Sequence, residues 1–386
     1  MRAKIIFLII LFSQMLKAQM VVNNGKHILE ISGSLSTYYN HRTLKEGVSE
    51  KDKNRFNIRD AQLMIEGRKG NLYEYRIQMD FADLTQGSTD PENPGLMDAW
   101  FKYKGFKWFD VQVGYGKIQY SRSSIVPFSY STYWQRPELF RGQFFSRRDI
   151  GLTLSKSFWQ RRIELIAGVY TGLGEVSARI GENDASGGLE YVGRAELSWP
   201  TYYRNRDLDI LHSPIPMIAL GVGTRYANKV LPAGEFFPSG AVGDYGVKVI
   251  SGKKHTYGID VSAQWKGFSA QFEVHQIKGT PADTNSFLLR NYTVAQSKGY
   301  FLSGGYYGQL SYFSRKLKTA LSLRFEEYNV SDLVAGTNQR VAVAVAYQID
   351  GFNSMIKAQW THPIDEEILD AIDWREQFRI GWQVMF

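Results

Sequence analysis

The amino-acid sequence predicts an all-β protein, a transmembrane antiparallel β-barrel of about 16 strands. Three features of the sequence predict this fold. Apolar and polar residues alternate along many segments, and these segments approach the length of roughly ten residues that a tilted membrane strand needs. Aromatic residues often close the apolar face of a segment, as they do at the two interfaces of a membrane. Short and long connections alternate, which is typical of barrels with tight periplasmic turns and long outer loops.

The first 18 residues have the features of a secretory signal peptide. Arg2 and Lys4 supply a short positive start, and an unbroken apolar run follows them. This run is too short to cross a bilayer as a helix, but it has the length of the apolar part of a signal peptide. We place the cleavage after Ala18. The sequence therefore predicts export to the bacterial outer membrane, with a signal peptide at residues 1–18 and a single transmembrane barrel domain at residues 19–386.

The composition excludes several kinds of chemistry. The chain has no cysteine, so we expect no disulfide, no thiolate chemistry and no lipid anchor on a modified cysteine. Removal of the signal peptide leaves 43 of the 46 Lys and Arg residues against 38 Asp and Glu, a net charge of about +5. This charge is dispersed without a Lys/Arg-rich block, so we do not expect nucleic acid as a partner. The mean hydropathy of -0.30 suits a barrel, because only alternate strand residues face lipid.

The alternation is clearest in the segment 72–81. Its polar face carries acidic, basic and amide side chains, and its apolar face carries tyrosines, Ile77, Met79 and Phe81. A soluble sandwich would also alternate, so the length of the segments and their aromatic ends favour a membrane barrel. The predicted strands are 27–39, 56–67, 71–82, 96–104, 108–117, 147–157, 161–170, 189–199, 216–227, 255–266, 267–278, 299–313, 316–330, 337–350, 351–362 and 373–386.

Tight turns and long loops alternate between these strands. An even number of strands places both chain termini in the periplasm. The Pro-containing stretch 200–215 is an exception, because it is too long for a tight turn, and we expect a loose periplasmic loop there. The tight turns are predicted near residues 70, 105, 160, 266, 314 and 350, and the long connections are 40–55, 82–95, 118–146, 171–188, 228–254 and 279–298.

Arginines recur on the polar faces of the predicted strands. These faces must line the lumen, because a charge on the lipid side costs about 2–4 kcal/mol near the bilayer midplane. One interpretation is a structural lining in which each arginine pairs with a nearby acid such as Glu74, Asp80, Glu196 or Glu326. The other is a row of positive charges that guides anions, as rings of Arg or Lys do in anion pores. The arginines concerned are Arg76, Arg194, Arg225, Arg324 and Arg379.

The connection 118–146 is the sharpest candidate for a functional element. It is rich in aromatic residues, so we expect it to fold inward as the third extracellular loop and to constrict the barrel. Guanidinium groups bind phosphate-like oxyanions through two parallel hydrogen bonds, and hydroxyl groups add donors. The alternative is a loop that only plugs or stiffens the barrel. The candidate anion-binding residues of the pore are Lys117, Tyr120, Arg122, Arg136, Arg141, Arg147 and Arg148, together with Arg76, Arg194, Arg324 and Arg379.

The sequence lacks the common motifs of enzymes. It has no P-loop, no Gly-x-Gly-x-x-Gly and no His-Glu-x-x-His, and its six histidines are scattered. We therefore expect no catalytic residues, no metal site and no cofactor.

Several short stretches give the chain a family resemblance. In order and spacing it resembles the phosphate-selective porin O and P family, although 228–254 lacks the dense lysine cluster of that family. The resemblance implies a sixteen-stranded, trimeric porin whose third extracellular loop folds inward, with arginines and lysines guiding anions. The terminal Phe386 resembles the signal that the barrel-assembly machinery reads. The stretches are Arg59-Asp60-Ala61-Gln62-Leu63, Tyr75-Arg76-Ile77-Gln78-Met79-Asp80-Phe81, Asp98-Ala99-Trp100, Val113-Gly114-Tyr115-Gly116-Lys117, Arg148-Asp149-Ile150-Gly151, Tyr191-Val192-Gly193-Arg194 and Arg379-Ile380-Gly381-Trp382-Gln383-Val384-Met385-Phe386.

The leading hypothesis is an outer-membrane porin for the passive diffusion of small anionic solutes, with phosphate and other oxyanions as candidates. Its expected partners are small anions, outer-membrane lipid, the barrel-assembly machinery and two further copies of the chain. The alternative hypothesis is a closed barrel that acts as a scaffold, adhesin or receptor through its extracellular loops. A barrel enzyme is a third reading, but the sequence offers no Ser/His/Asp set for it.

Overall fold

The computed structural model describes residues 20–386 apart from 48, 51–52, 83–94, 141–143, 175–182, 185, 205, 232–246, 284–287, 290–291, 294–297, 330, 334–336 and 366–373. The predicted signal peptide and Arg141 lie outside the described residues. None of the helices in the described ranges has the length and apolar character needed to cross a membrane.

Within the described ranges, sixteen long strands form one closed antiparallel barrel, as the sequence predicts. Each strand pairs with the next along the chain, and the last pairs with the first. The short strand Met20–Asn23 extends the sheet by pairing with the start of β1. The strands are β1 (His27–Leu44), β2 (Asn54–Lys69), β3 (Tyr73–Asp80), β4 (Leu96–Tyr103), β5 (Asp110–Lys117), β6 (Arg148–Phe158), β7 (Ile163–Tyr170), β8 (Glu190–Trp199), β9 (Met217–Lys229), β10 (Gly252–Trp265), β11 (Phe268–Pro281), β12 (Phe301–Ser314), β13 (Thr319–Asn329), β14 (Asn338–Asp350), β15 (Ser354–Asp365) and β16 (Trp374–Met385).

The seam between β16 and β1 closes the barrel. Arg379 lies opposite Asn40, and Met385 lies opposite Ser34. Beyond the last pair, Gly33 and Phe386 exchange both backbone hydrogen bonds, at 2.7 and 2.9 Å between nitrogen and oxygen. A Cβ atom at Gly33 would lie 2.8 Å from the Phe386 ring, so the close approach of the terminal aromatic side chain requires glycine there.

The two faces of the strands have opposite character. In β13, Leu321 and Leu323 are exposed on the outside, and Ser322 and Arg324 are buried on the inside. This is the inverse of a soluble barrel, in which apolar side chains fill the interior. Apolar side chains outside and polar side chains inside are what a barrel surrounded by hydrocarbon requires.

Large aromatic side chains gather on the outer surface near the short turns. Trp159 is 73% exposed and Trp108 is 72% exposed, and Trp199, Trp265 and Phe268 are also exposed. Aromatic rings at this level form the belt typical of a membrane–water interface. The short-turn end is therefore one rim of the apolar band.

The short turns fall where the sequence predicts them. Between β10 and β11, Lys266 and Gly267 form a two-residue connection, and Trp265 pairs directly with Phe268. Both turn residues have positive φ angles, 47° and 90°. A two-residue turn of this kind needs positive φ at both central positions and matches the right-handed twist of the strands, which explains the glycine.

The connection 200–216 is not the loose loop that the sequence suggests, and that expectation is wrong. It leaves β8 at the short-turn end, and Tyr203, Leu208 and Asp209 are fully buried inside the barrel. The Asp209 backbone N–H donates to the hydroxyl of Ser269 on β11, at 2.8 Å. Burial of its apolar side chains and the satisfaction of its polar groups hold this segment inside the barrel.

Adjacent residues of β3 allow a test of the two faces. Ile77 is 48% exposed and points outward, whereas Gln78 is half-buried and lines an internal cavity. We expect Ile77→Arg to lower the free energy of unfolding in lipid by about 2–4 kcal/mol, because it places a charge in hydrocarbon. Gln78→Arg is the matched control and is expected to cost much less. Urea unfolding in phospholipid vesicles measures both, and equal losses would contradict the assignment of faces.

Candidate functional site

Loop L3, residues 118–147, contacts inward-facing side chains on the far side of the barrel. The Trp134 backbone N–H donates to the Gln359 side chain of β15 at 2.5 Å, and its indole N–H donates to the Lys357 carbonyl at 3.0 Å. Thr132 donates to the hydroxyl of Ser322 on β13 at 2.9 Å. These bonds join L3 to the wall roughly opposite its own strands β5 and β6. The loop therefore spans the interior rather than lying along one wall.

Local hydrogen bonds hold the first residues of L3 in place. A short helix, α1 (Arg122–Ile125), follows Ser121, whose side chain accepts the backbone N–H of Ser124 at 3.2 Å. Ser123 bonds Glu273 of β11 through both its backbone N–H and its hydroxyl, at 2.8 and 2.7 Å. This arrangement aims Arg122 at the wall formed by β8 and β10.

An apolar cluster fills the interior around the second half of L3. Phe140, Phe144 and Phe145 are fully buried and pack with side chains from several strands. The ring centroids of Phe140 and Tyr307 lie 6.0 Å apart in an edge-on arrangement, one of the preferred geometries for aromatic pairs. The other members include Ile118, Tyr120, Leu139, Tyr170, Val192, Val247, Ile250, Ile277, Phe301, Tyr328 and Trp374.

Two of the predicted arginines belong to a buried ion-pair network. Arg194 donates to Asp260 and, at 2.8 Å, to Glu196. Arg122 lies 3.2 Å from Glu196 and 3.3 Å from Asp260. Burial alone would lower the pKa of Arg122, but the two carboxylates more than offset this and the pKa is raised. The two positive charges are matched by two negative charges, as the structural interpretation of the wall arginines proposed.

Other predicted residues make structural contacts within the described part of the chain. The Arg324 guanidinium stacks 3.7 Å over the Tyr133 ring and donates to the Gln135 carbonyl of L3. Arg379 donates to Asn40 across the closing seam, at 3.1 Å. The Tyr120 hydroxyl lies 2.8 Å from the His275 ring nitrogen, and burial raises the pKa of this tyrosine. The remaining wall arginine that the sequence singled out, Arg225, forms two hydrogen bonds with Glu190.

The open space of the interior lies on the other side of L3. A cavity of about 680 Å³ extends between L3 and the inner faces of β1 to β5. It brings together five of the predicted site residues, Arg76, Lys117, Arg136, Arg147 and Arg148. Its lining contains six basic side chains, the sixth being Arg59, and four acidic ones, Glu30, Asp60, Glu66 and Asp350.

Arg59 was not among the predicted pore residues, because the alternation of faces breaks beside it. In the pairing of β1 with β2, Ser36 lies opposite Asp60 but the next residue, Thr37, lies opposite Ile58. Arg59 is the extra residue of this β-bulge, and a bulge re-aims side chains locally. Arg59 and Asp60 are therefore both buried, and the Arg59 guanidinium lies 3.6 Å over the ring of Phe128 in L3.

A second cavity of about 460 Å³ adjoins the first toward the short-turn end. Arg76, Lys117, Pro127 and Tyr130 line both cavities. The segment 200–216 contributes Tyr202, Arg204 and Arg206, which strand alternation could not identify because they lie in a connection. The remaining lining residues are Asp98, Trp100, Gln112, Gln119 and Ile125.

Positive charge exceeds negative charge where the two cavities meet. Asp98 is shared by Arg76, at 3.5 Å, and Arg148, at 3.3 Å. Lys117 donates to the Ile125 carbonyl at 3.0 Å and forms no ion pair with any described residue. Arg136 donates to two carbonyls of L3, those of Ser123 and Val126. Four basic side chains therefore meet two carboxylates at this point, because Arg76 also pairs with Glu66. We call this group the basic junction (Arg76, Lys117, Arg136, Arg148, Asp98 and Glu66).

Comparison with known proteins places the chain in a structural class. The family model for phosphate-selective porin O and P matches residues 39–204, which confirms for this part of the chain the resemblance indicated by the sequence motifs. Comparison with curated proteins returned no match.

Solved porin structures share the fold at low sequence identity. Outer-membrane OmpT of Vibrio cholerae has a TM-score of 0.58 and 9% identity, covering 95% of this chain and 100% of that one. OmpF of Salmonella typhi, solved with daunomycin, has a TM-score of 0.57 and 10% identity, with 95% and 100% coverage. The outer-membrane channel DcaP of Acinetobacter baumannii has a TM-score of 0.54 and 10% identity, with 94% and 99% coverage. The family match and the barrel fold together indicate a bacterial outer-membrane protein.

The buried network at Asp260 gives a second prediction. Asp260→Asn removes one of the two carboxylates of this network, so the positive charge of Arg122 and Arg194 is no longer balanced within it. We expect the free energy of unfolding to fall by about 3–5 kcal/mol, as when one partner of a buried ion pair is removed. Glu50→Gln is the control, because its pair with Lys53 is exposed and contributes about 0–1 kcal/mol. Urea unfolding compares the two, and a similar small effect in both would contradict a stabilising network.

Proposed function

We propose that this protein is a porin through which small anions diffuse passively along the two cavities beside L3. The observation that carries the proposal is the excess of positive charge at the basic junction. Several arginines elsewhere in the interior are matched by carboxylates, for example at Asp260 and Glu190, but the lining of the two cavities has more basic than acidic side chains. A desolvated pore wall with excess positive charge lowers the energy of an anion and raises that of a cation.

The contacts of L3 support a constriction of the passage on the same side. Phe128 and Tyr130 line the larger cavity, and Gln383 of β16 donates to the Ser129 carbonyl at 2.9 Å. The loop therefore bounds the cavity and presents Arg136 to it, while its other surface packs against the far wall. A solute in this space passes between L3 and the strands β1 to β5. Inorganic phosphate is one candidate, since guanidinium groups bind oxyanions in a bidentate manner.

We further propose the surroundings in which this channel works. Residues 1–18 direct export and are removed after Ala18, leaving the barrel of residues 19–386. The β16 strand and Phe386 are the contact for the barrel-assembly machinery, and the exposed apolar band contacts outer-membrane lipid. A homotrimer is proposed because one similar structure, OmpT of Vibrio cholerae, is described as a trimer form.

The second candidate function is a closed barrel that acts through its extracellular loops. The specific observation in its favour is the apolar cluster around Phe140, Phe144 and Phe145, which fills the interior from L3 to β11 and β12. Planar-bilayer recordings of the purified barrel separate the two functions. Stable single-channel steps are expected from the porin, and their absence from protein that shows a folded barrel by heat-modifiable mobility would favour the closed barrel.

The charge at the basic junction predicts the ion selectivity of the pore. Arg148→Gln lowers the net charge of the basic junction by one, and an interaction of about 1 kcal/mol with a passing ion then disappears. We expect the anion-to-cation permeability ratio to fall about three- to tenfold. Reversal potentials in a KCl gradient measure this ratio. Lys316→Gln, in the exposed turn between β12 and β13, is the control and is expected to leave the ratio unchanged. Preference for cations in the unmodified protein would overturn the proposal.

A further inference from the structure

The cavity at the short-turn end differs in character from the rest of the interior. Two of its cations come from the connection 200–216, and neither has a carboxylate partner among the described residues. The Arg204 side chain is exposed to the cavity and forms no hydrogen bond or ion pair with any described residue, although its carbonyl accepts the Arg206 backbone N–H at 2.9 Å. The Arg206 guanidinium has only ring contacts, at 5.4 Å over Tyr130 and 5.7 Å over Phe352. These two arginines therefore line one space without a carboxylate partner among the described residues.

The only acid in the lining of this cavity is already paired. Asp98 lies between Arg76 and Arg148, as described for the basic junction. Its charge is therefore unavailable to Arg204 and Arg206, on the described part of the chain. An anion entering from solution would supply the missing negative charge.

Aromatic side chains form much of the remaining wall. Trp100, Tyr130 and Tyr202 all line the cavity and are half-buried, so part of each side chain remains accessible. The cavity volume of about 460 Å³ lies in the range of about 300–1,000 Å³ that is usual for small-molecule sites. A guanidinium already contacts two of these rings, Arg161 at 4.1 Å over Tyr202 and Arg76 at 5.5 Å over Trp100. A planar ring of a ligand would pack against the part of each aromatic side chain that remains accessible, which an inorganic oxyanion could not do.

The Arg206 side chain has hydrogen-bond donors available to a ligand. Its guanidinium lies 5.4 Å from the Tyr130 ring centroid and 5.7 Å from that of Phe352, and no described residue accepts a hydrogen bond from it. A guanidinium can form two parallel hydrogen bonds to a carboxylate. Arg76, which also lies near a ring, differs because Glu66 and Asp98 occupy its donors.

We propose that this cavity is a binding site for ring-bearing organic anions, with aromatic carboxylates as the chemical class. The carboxylate binds Arg206 and Arg204, and the ring lies against Tyr202 and Trp100. The proposal rests on the proposed channel function, since the cavity adjoins the passage at the basic junction, and it names a solute class for that passage. It also gives the connection 200–216 a role, because this segment supplies two of the cations and one of the rings.

Binding to the purified, full-length mature barrel in detergent tests the site without measuring transport. Isothermal titration calorimetry would compare benzoate, acetate and inorganic phosphate as probes. We expect benzoate to bind about tenfold more tightly than acetate, because stacking adds to the charge interaction that the two share. Phosphate is expected to bind more weakly than benzoate. Equal affinities for benzoate and acetate, or tighter binding of phosphate, would overturn the proposal.

Matched variants separate the contribution of charge from that of the ring. Arg206→Gln is expected to weaken both benzoate and acetate, whereas Tyr202→Leu should weaken benzoate about fivefold and leave acetate unchanged. Arg206→Lys keeps the charge and is expected to retain acetate binding. If it does, the loss of binding in Arg206→Gln comes from the missing charge and not from a folding defect. Lys316→Gln is the control for non-specific charge. If Arg206→Gln leaves the affinity for benzoate unchanged, benzoate binds outside this cavity and the proposal is wrong.

The same preparation keeps this result separate from the channel function. Reversal potentials recorded in KCl report anion selectivity and do not depend on benzoate. An anion-selective pore that binds benzoate no better than acetate would refute the site and leave the porin proposal intact. A non-conducting barrel that nevertheless binds benzoate through Arg206 would refute the porin proposal and leave the site intact.

Discussion

Satisfaction of backbone hydrogen bonds in hydrocarbon is the constraint on which the rest of this structure depends. Lipid offers no partner for an exposed N–H or C=O, so a sheet in the membrane must close on itself. Here the seam between β16 and β1 completes the closure, down to the paired backbone groups of Gly33 and Phe386. Closure then forces alternate residues to face lipid or the interior. The polar interior therefore follows from the hydrogen-bonding requirement of the backbone and does not depend on transport.

Charged side chains in the polar interior need partners of opposite charge or a solvent-filled space. The two sides of the barrel differ in which of these they provide. On one side, L3 and the carboxylates of β8 to β11 match the arginines and fill the space. On the other side, the strands β1 to β5 leave two cavities in which cations exceed acids. The same residue type is thus structural in Arg194 and a candidate for solute contact in Arg204, and only the positions of the neighbouring carboxylates distinguish the two.

The strand pattern was predictable from the sequence because period-2 alternation is a local property. Every predicted strand has a counterpart in the barrel, and Arg76, Arg194 and Arg324 face inward as their parity predicts. Arg59 was missed because a β-bulge shifts the pairing between Ser36 and Thr37, and bulges leave little trace in a single sequence. Arg204 and Arg206 were missed because residues in a connection do not alternate between an inner and an outer face. The pairing of individual arginines with acids was also unpredictable, since Arg122 and Asp260 meet only through the closed barrel.

The contacts of L3 with the far wall have a consequence for the order of assembly. Trp134 bonds Gln359, a residue 225 positions later in the chain. Contacts of such long sequence separation form late, because loop-closure entropy opposes them until the intervening strands are in place. L3 therefore reaches its final position only after β15 has joined the sheet, just before β16 closes it. Until that step the sheet has an open edge and Trp134 lacks its partner on β15, so closure of the barrel and packing of L3 in its interior are coupled.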